Sequence, residues 1–297
     1  MRMSIQGTVF TYHEVLSDSL VLRLPSSLTL TRPSKEAILF RLLLGTINVS
    51  HNFDNITIKQ RTNYSILGCK SVTRLNHLAV LDSQVPMRDF DIVNAYFMRN
   101  RVNTAFFEDL LSEFSNYFYQ KSKKAYMSAF VHLYRAIEHL SYAFPLLYAK
   151  HSNSYKGTFN SMQSFFSNDS NSSELKMFQE FQKTLIADSV LKNDRCSINV
   201  LASTGDQSTK IANALMSLTN GLDVTLNGSQ IQIYNKDLIT FIIRLRNRFF
   251  HLLLGSERNN LQSKDIYTDL LFKCVNEEIA NWIAYLYFEI CKYGVSQ

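Results

Sequence analysis

The stretch Tyr126-Met127-Ser128-Ala129-Phe130-Val131-His132-Leu133-Tyr134-Arg135-Ala136-Ile137-Glu138-His139-Leu140 decides the fold class. Tyr126, Phe130, Leu133, Ile137, Leu140 and then Phe144 recur at steps of four, three, four, three and four. That spacing places them on one side of a helix, so residues 122–150 read as a long amphipathic helix, with Pro145 kinking its last turn. Just upstream, residues 104–119 set Phe106, Phe107, Leu110, Leu111, Phe114 and Phe118 on one face in the same way.

Before residue 103 the texture differs. Short runs at Val9, Phe10 and Tyr12, at Leu20 to Leu24, at Ile56 and Ile58, and at Leu78, Val80 and Leu81 read as strands. One helix interrupts them, with Pro33 at its first position and Ile38, Leu39, Leu42 and Leu43 at helical spacing. After the long helix, the polar run 168–173 reads as a loop. Ser172 or Ser173 then caps a helix through Met177, Phe178, Phe181 and Leu185. Asn227-Gly228 sits between Val224-Thr225-Leu226 and Ile231-Gln232-Ile233, a hairpin pattern. Two long helices close the chain, 236–254 (ended by Gly255) and 264–292. The expected architecture is α+β: a mixed α/β region with short strands over 1–102, then a mainly α-helical bundle over 103–297.

Composition narrows the class. Of 297 residues, 46% are apolar and 19% charged, which excludes a largely disordered chain. Nine Gly and four Pro exclude collagen-like and linker-rich chains. Cys69, Cys196, Cys274 and Cys291 form no C-x-x-C pair, so they read as reduced thiols and not as a disulfide framework or zinc site. The first residues lack a signal peptide's apolar run, and Arg244, Lys273 and Glu289 interrupt the apolar stretches near the C-terminus. A soluble cytoplasmic protein with no membrane contact is expected. A net charge of +6 permits a polyanionic partner.

The segment Arg244-Leu245-Arg246-Asn247-Arg248-Phe249-Phe250-His251 carries the candidate chemistry. Its helix would bury Leu238, Ile242, Leu245, Phe249 and Leu252. Arg244, Asn247 and His251 then fall within about 60° of one another on the opposite face. Asn247 lies one turn before His251 and is placed to fix its tautomer. Arg246 lies about 140° around the helix from His251, so one straight helix does not aim both at one atom. Two helices about a twofold axis would bring Arg and His together, and a homodimer is expected. The bland alternative is a basic helix surface with a satisfied histidine. Ser203–Lys210 superficially resembles a phosphate loop but lacks the second glycine before Lys210.

The R-N-x-x-x-H pattern (Arg246, Asn247, His251) on the penultimate long helix resembles the signature of the HEPN superfamily. Those are compact helical domains common in prokaryotic toxins and antiviral effectors. The run Phe130–Leu140 is similar to the first long helix of those domains, so the resemblance covers residues from about 103 to 297. It implies a metal-independent endoribonuclease working at a dimer cleft, with Arg246 and His251 catalytic and Asn247 beside them. No metal or cofactor is implied; RNA is the partner, together with a regulatory protein or defence-system partner. A toxin or abortive-infection effector of antiphage defence is the setting. Many members carry a Tyr two residues after the His, where this chain has Leu253. Arg244 and Arg248 flank the pair as candidate RNA-backbone contacts, with a solvated basic face weighed equally. Glu138 and Arg135 are candidate supporting residues, Glu138 either orienting Arg246 or making a surface ion pair. The alternatives are a non-catalytic nucleotide- or protein-binding module of the same fold, and a structural subunit of a defence complex.

Overall fold

The computed structural model describes residues 3–31, 33–68, 70–71, 90–99, 103–151, 155–166, 178–179, 193–200, 204–250, 260–263 and 266–295. The chain forms two compact units, one of residues 1–139 with 280–297 and one of residues 140–279.

In the first unit, strands β1 (Ser4–Gln6), β2 (Phe10–Glu14), β3 (Ile47–His51) and β4 (Ile56–Ile58) make a four-stranded sheet in the order β1-β2-β3-β4. All its pairings are antiparallel, with Tyr12 opposite Val49 and Val49 opposite Ile58. Phe10, Tyr12 and Glu14 are buried while Thr11 and His13 are not, the alternation of a sheet covered on one face. The run Leu20 to Leu24 is not the strand its apolar content suggested. Helix α1 (Asp18–Val21) covers its start, a turn follows over 22–24, and a 3-10 turn (Ser26–Leu28) comes after it. Val21 and Leu24 are buried three residues apart while Leu22 is 86% exposed, so the burial period is helical.

Helix α2 (Lys35–Leu43) is capped by Ser34, whose hydroxyl accepts the Ala37 N–H at 3.1 Å. Pro33 therefore precedes the cap and does not open the helix. Every residue from Glu36 to Leu43 is buried. Arg41 inside this helix meets Glu14 of β2 in a two-pronged ion pair at 2.7 and 2.6 Å. Arg41 also donates to the carbonyls of Leu28 and Thr46, while Glu14 accepts the N–H groups of Val15 and Leu16. No charge in the pair lacks a partner.

Two very short strands, β5 (Thr62–Asn63) and β6 (Lys70–Ser71), pair next. The segment holding Leu78, Val80 and Leu81 lies outside the described residues. Helix α3 (Phe90–Arg99) is followed by α4 (Thr104–Ser122), which packs on α2, and by α5 (Tyr126–His151). Most of the expected stripes is buried: Phe107, Leu110, Leu111, Phe114 and Phe118 on α4, and Phe130, Leu133, Ile137 and Leu140 on α5, while Phe106 and Tyr126 are half-buried. Ser122 ends α4 instead of opening α5, and α5 continues past Pro145 to His151. Residues 280–295 of the last helix, α9 below, complete this core. Asn281 donates to the carbonyls of Tyr64 and Ile66 and accepts the Gly68 N–H, and Tyr287 donates to the Glu36 carbonyl at 3.0 Å. The change of period near residue 103 thus falls inside the first unit.

The second unit contains α6 (Tyr155–Phe166), β7 (Arg195–Asn199), α7 (Gly205–Ser217), β8 (Val224–Asn227), β9 (Gln230–Tyr234), α8 (Leu238–Phe250) and the start of α9 (Thr268–Val295). The loop 168–173, Met177, Phe181 and Leu185 lie outside the described residues; Phe178 is buried. The hairpin β8–β9 forms, but Asn227 pairs with Gln230, so its two turn residues are Gly228 and Ser229. Gly228 has φ +60 while Ser229 does not share that hand, the arrangement of a II′ turn. Strand β7 adds to β9 on the other side, giving the order β7-β9-β8. Cys196 and Cys274 are half-buried and form no disulfide.

Candidate active site

Helix α8 is strongly amphipathic. Leu238, Ile239, Phe241, Ile242 and Leu245 are buried, and Phe249 is half-buried with its ring edge-on to Phe272 of α9 at 5.0 Å. Arg244 and Asn247 lie opposite that stripe, Arg246 lies at its edge within about 40° of Ile239 and Ile242 around the helix, and Arg244, Arg246, Asn247 and Arg248 are all half-buried. His251, Leu252, Leu253 and Gly255 lie outside the described residues.

The two flanking arginines act on α7. Arg244 donates through Nη1 to the carbonyls of Leu218 (3.0 Å) and Asn220 (2.7 Å). Arg248 donates through Nη1 to the Ser217 carbonyl (2.8 Å) and hydroxyl (3.3 Å). These groups end and follow α7, where the helix leaves carbonyls without intrahelical donors and carries partial negative charge. Arg244 and Arg248 thus brace α8 against the C-terminus of α7, a role that sequence spacing did not suggest.

Arg246 between them points elsewhere. Its Nη1 donates to the side-chain oxygen of Asn247 at 3.1 Å. The amide expected to hold the histidine ring is here a partner of the arginine. Asn247 so limits the guanidinium's freedom.

Arg135 and Glu138 belong to the first unit. Arg135 of α5 contacts Glu113 of α4 at 3.1 Å, and the same buried carboxylate meets Nδ1 of His132 at 2.7 Å. Glu138 is exposed. The triad of Glu113, His132 and Arg135 was missed in the sequence. One signal was legible: Glu113 sits three residues after Leu110 and four before Tyr117, inside an apolar stripe.

Among the described residues, no group of three His, Cys, Asp or Glu is placed to hold a metal ion, and no helix is long and apolar enough to cross a membrane. No family model, curated protein or solved structure matches the chain.

Proposed function

We propose that the chain is a metal-independent endoribonuclease of the HEPN type, acting as a toxin or effector in prokaryotic antiphage defence. The observation that carries the reading is the sequence motif R-N-x-x-x-H, whose Arg246 and Asn247 stand on α8, bonded to each other on a helix that Arg244 and Arg248 brace against α7. RNA supplies its own nucleophile, the 2′-OH beside the scissile phosphate. His251 takes the 2′-OH proton as the 2′-O–P bond forms. The bond from phosphorus to the 5′-oxygen breaks, and a second imidazole or water protonates the leaving alkoxide. Arg246 from the partner copy binds the non-bridging oxygens as charge builds on them. The products are a 2′,3′-cyclic phosphate and a free 5′-OH.

The test is digestion of one short RNA in EDTA, with mass spectrometry of the fragment ends. Cyclic phosphate ends, lost in Arg246→Ala and His251→Ala and reduced in Asn247→Ala, are expected. Ends bearing 3′-OH, a need for Mg²⁺, or full activity in His251→Ala would overturn the reading. One observation favours a non-catalytic binding module instead: Arg244 and Arg248 contribute to packing. On that reading, no variant changes any cleavage because there is none.

A further inference from the structure

We infer that the outer face of the β7-β9-β8 sheet binds single-stranded RNA. Strand parity sorts its residues. Ile198, Ile231 and Ile233 point to the buried side and are fully covered. Arg195, Asn199, Thr225, Gln230, Gln232 and Tyr234 lie on the other side and are half-buried or exposed.

An unbroken chain of side-chain hydrogen bonds crosses that face. Arg195 Nη1 donates to Thr225 Oγ1 at 2.6 Å, and Thr225 donates to Gln232 Oε1 at 3.3 Å. Gln232 Nε2 donates to Gln230 Oε1 at 3.0 Å, and Gln230 Nε2 donates to Asn199 Oδ1 at 3.1 Å. At one end the Arg195 guanidinium lies 4.2 Å from the Tyr234 ring centroid and donates to its hydroxyl at 2.6 Å. The Lys236 ammonium lies 5.2 Å from the same ring.

The solvated side of an antiparallel sheet is normally polar, so polarity alone argues nothing. Two features exceed it. Long amides and an arginine are held in fixed positions on a surface where ordering them costs entropy. No Asp or Glu stands in any of the three strands of a chain with 25 acidic residues; Asp194, Asp223 and Asp237 flank the strands. Two cations over an aromatic ring, beside aligned amides and hydroxyls, match what an unpaired strand offers. Bases stack on Tyr and Arg planes, base edges and 2′-hydroxyls meet amides, and phosphates meet Lys and Arg. A flat face of this size accepts about two or three bases and cannot enter a duplex groove.

This face goes beyond the ribonuclease reading, since binding here does not require that Arg246 and His251 cut. The measurement is fluorescence anisotropy of a labelled nine-nucleotide single-stranded RNA with the full chain carrying Arg246→Ala, which silences cleavage on that reading. Arg195→Ala and Tyr234→Ala are expected to raise Kd roughly tenfold each. Asn227→Glu, a charge placed on an exposed position of the same face, weakens binding without touching the network. Lys236→Ala lowers the salt slope by about one. Single-stranded DNA and duplex RNA of the same sequence bind more weakly. Unchanged affinity in Tyr234→Ala and Asn227→Glu, or no preference for single-stranded RNA, overturns the inference. If these variants lose RNA while the unmodified chain cuts nothing, the ribonuclease reading alone fails. If the unmodified chain cuts and the sheet variants bind normally, the sheet inference alone fails.

Discussion

Arg41 and Glu14 show what a single residue decides. Arg41 is 1% and Glu14 3% exposed, so neither charge has water to fall back on. Arg41→Ala leaves a buried carboxylate without its cation and is expected to cost about 3–5 kcal/mol in urea denaturation. The double variant Arg41→Met with Glu14→Leu removes both charges and should recover most of that loss. A loss as large in the double variant as in the single would show that shape, not charge, sets the cost. Glu278 in α9 illustrates the opposite case. Burial, and then the neighbouring charge of Glu277, pushes its pKa above the ordinary 4.5, while Cys196 pulls it partly back. The raised pKa means that the folded state holds this proton more tightly than the unfolded chain does. The associated stability is fully present below pH 4.5 and is lost as pH rises through the folded value. Glu278→Gln should therefore raise Tm at pH 7 and leave it nearly unchanged at pH 4. An equal shift at both pH values would remove charge as the cause.

At the scale of elements, α7 and α8 depend on each other through Arg244 and Arg248. Replacing both by Ala removes charge-assisted bonds to the carbonyls that end α7. Because both side chains are partly exposed, a loss of about 1–3 kcal/mol in total is expected by chemical denaturation. If these arginines served RNA alone, RNA affinity would fall and stability would not move. Gly45, between α2 and β3, has φ +72, and a Cβ there would lie 3.0 Å from the Arg61 carbonyl carbon and the Thr62 oxygen. Gly45→Ala should lower stability by about 1–2 kcal/mol from the left-handed backbone alone, read as a shift of the urea midpoint at unchanged slope. The helical stripes of α4 and α5 were legible because apolar residues at steps of three and four have one geometric meaning. The run Leu20 to Leu24 was misread because a short apolar run has no clear period, and β3 was not read from its sequence at all. The II′ turn was displaced by one residue because Asn-Gly suits either register until Asn227 is paired with Gln230.

At the scale of the whole molecule, the motif predicts its own assembly. On the proposed ribonuclease reading, a helix running straight through the motif would set Arg246 and His251 about 140° apart, so a working pair would draw on two copies. Mixing Arg246→Ala and His251→Ala proteins, each inactive, should restore cleavage. Random reassortment makes half the dimers mixed, each with one intact Arg–His pair, so about a quarter of the wild-type rate is expected. A monomer in sedimentation that is fully active, or no recovery from dimers shown to have exchanged, would sink the shared site.

The sequence by itself determined the α+β class, the helices 104–122 and 126–151 to within a few residues, the β8–β9 hairpin, and the placing of Arg244 and Asn247 on the side of one helix opposite its apolar stripe. Each of these follows from local periodicity, which the chain carries along its own length. Only the tertiary structure decided that Arg244 and Arg248 hold α7, that Arg246 is bound by Asn247, and that Arg41 meets Glu14 across 27 positions of chain. It also decided that Ala280–Gln297 joins the first unit and that Arg195, Thr225, Gln232, Gln230 and Asn199 form one network. The partners of Arg41, Arg244 and Arg248 are set by burial, which leaves each buried charge and each helix-end carbonyl to be matched by whatever donor the packing brings near, and the sheet network is set by the register of its strands.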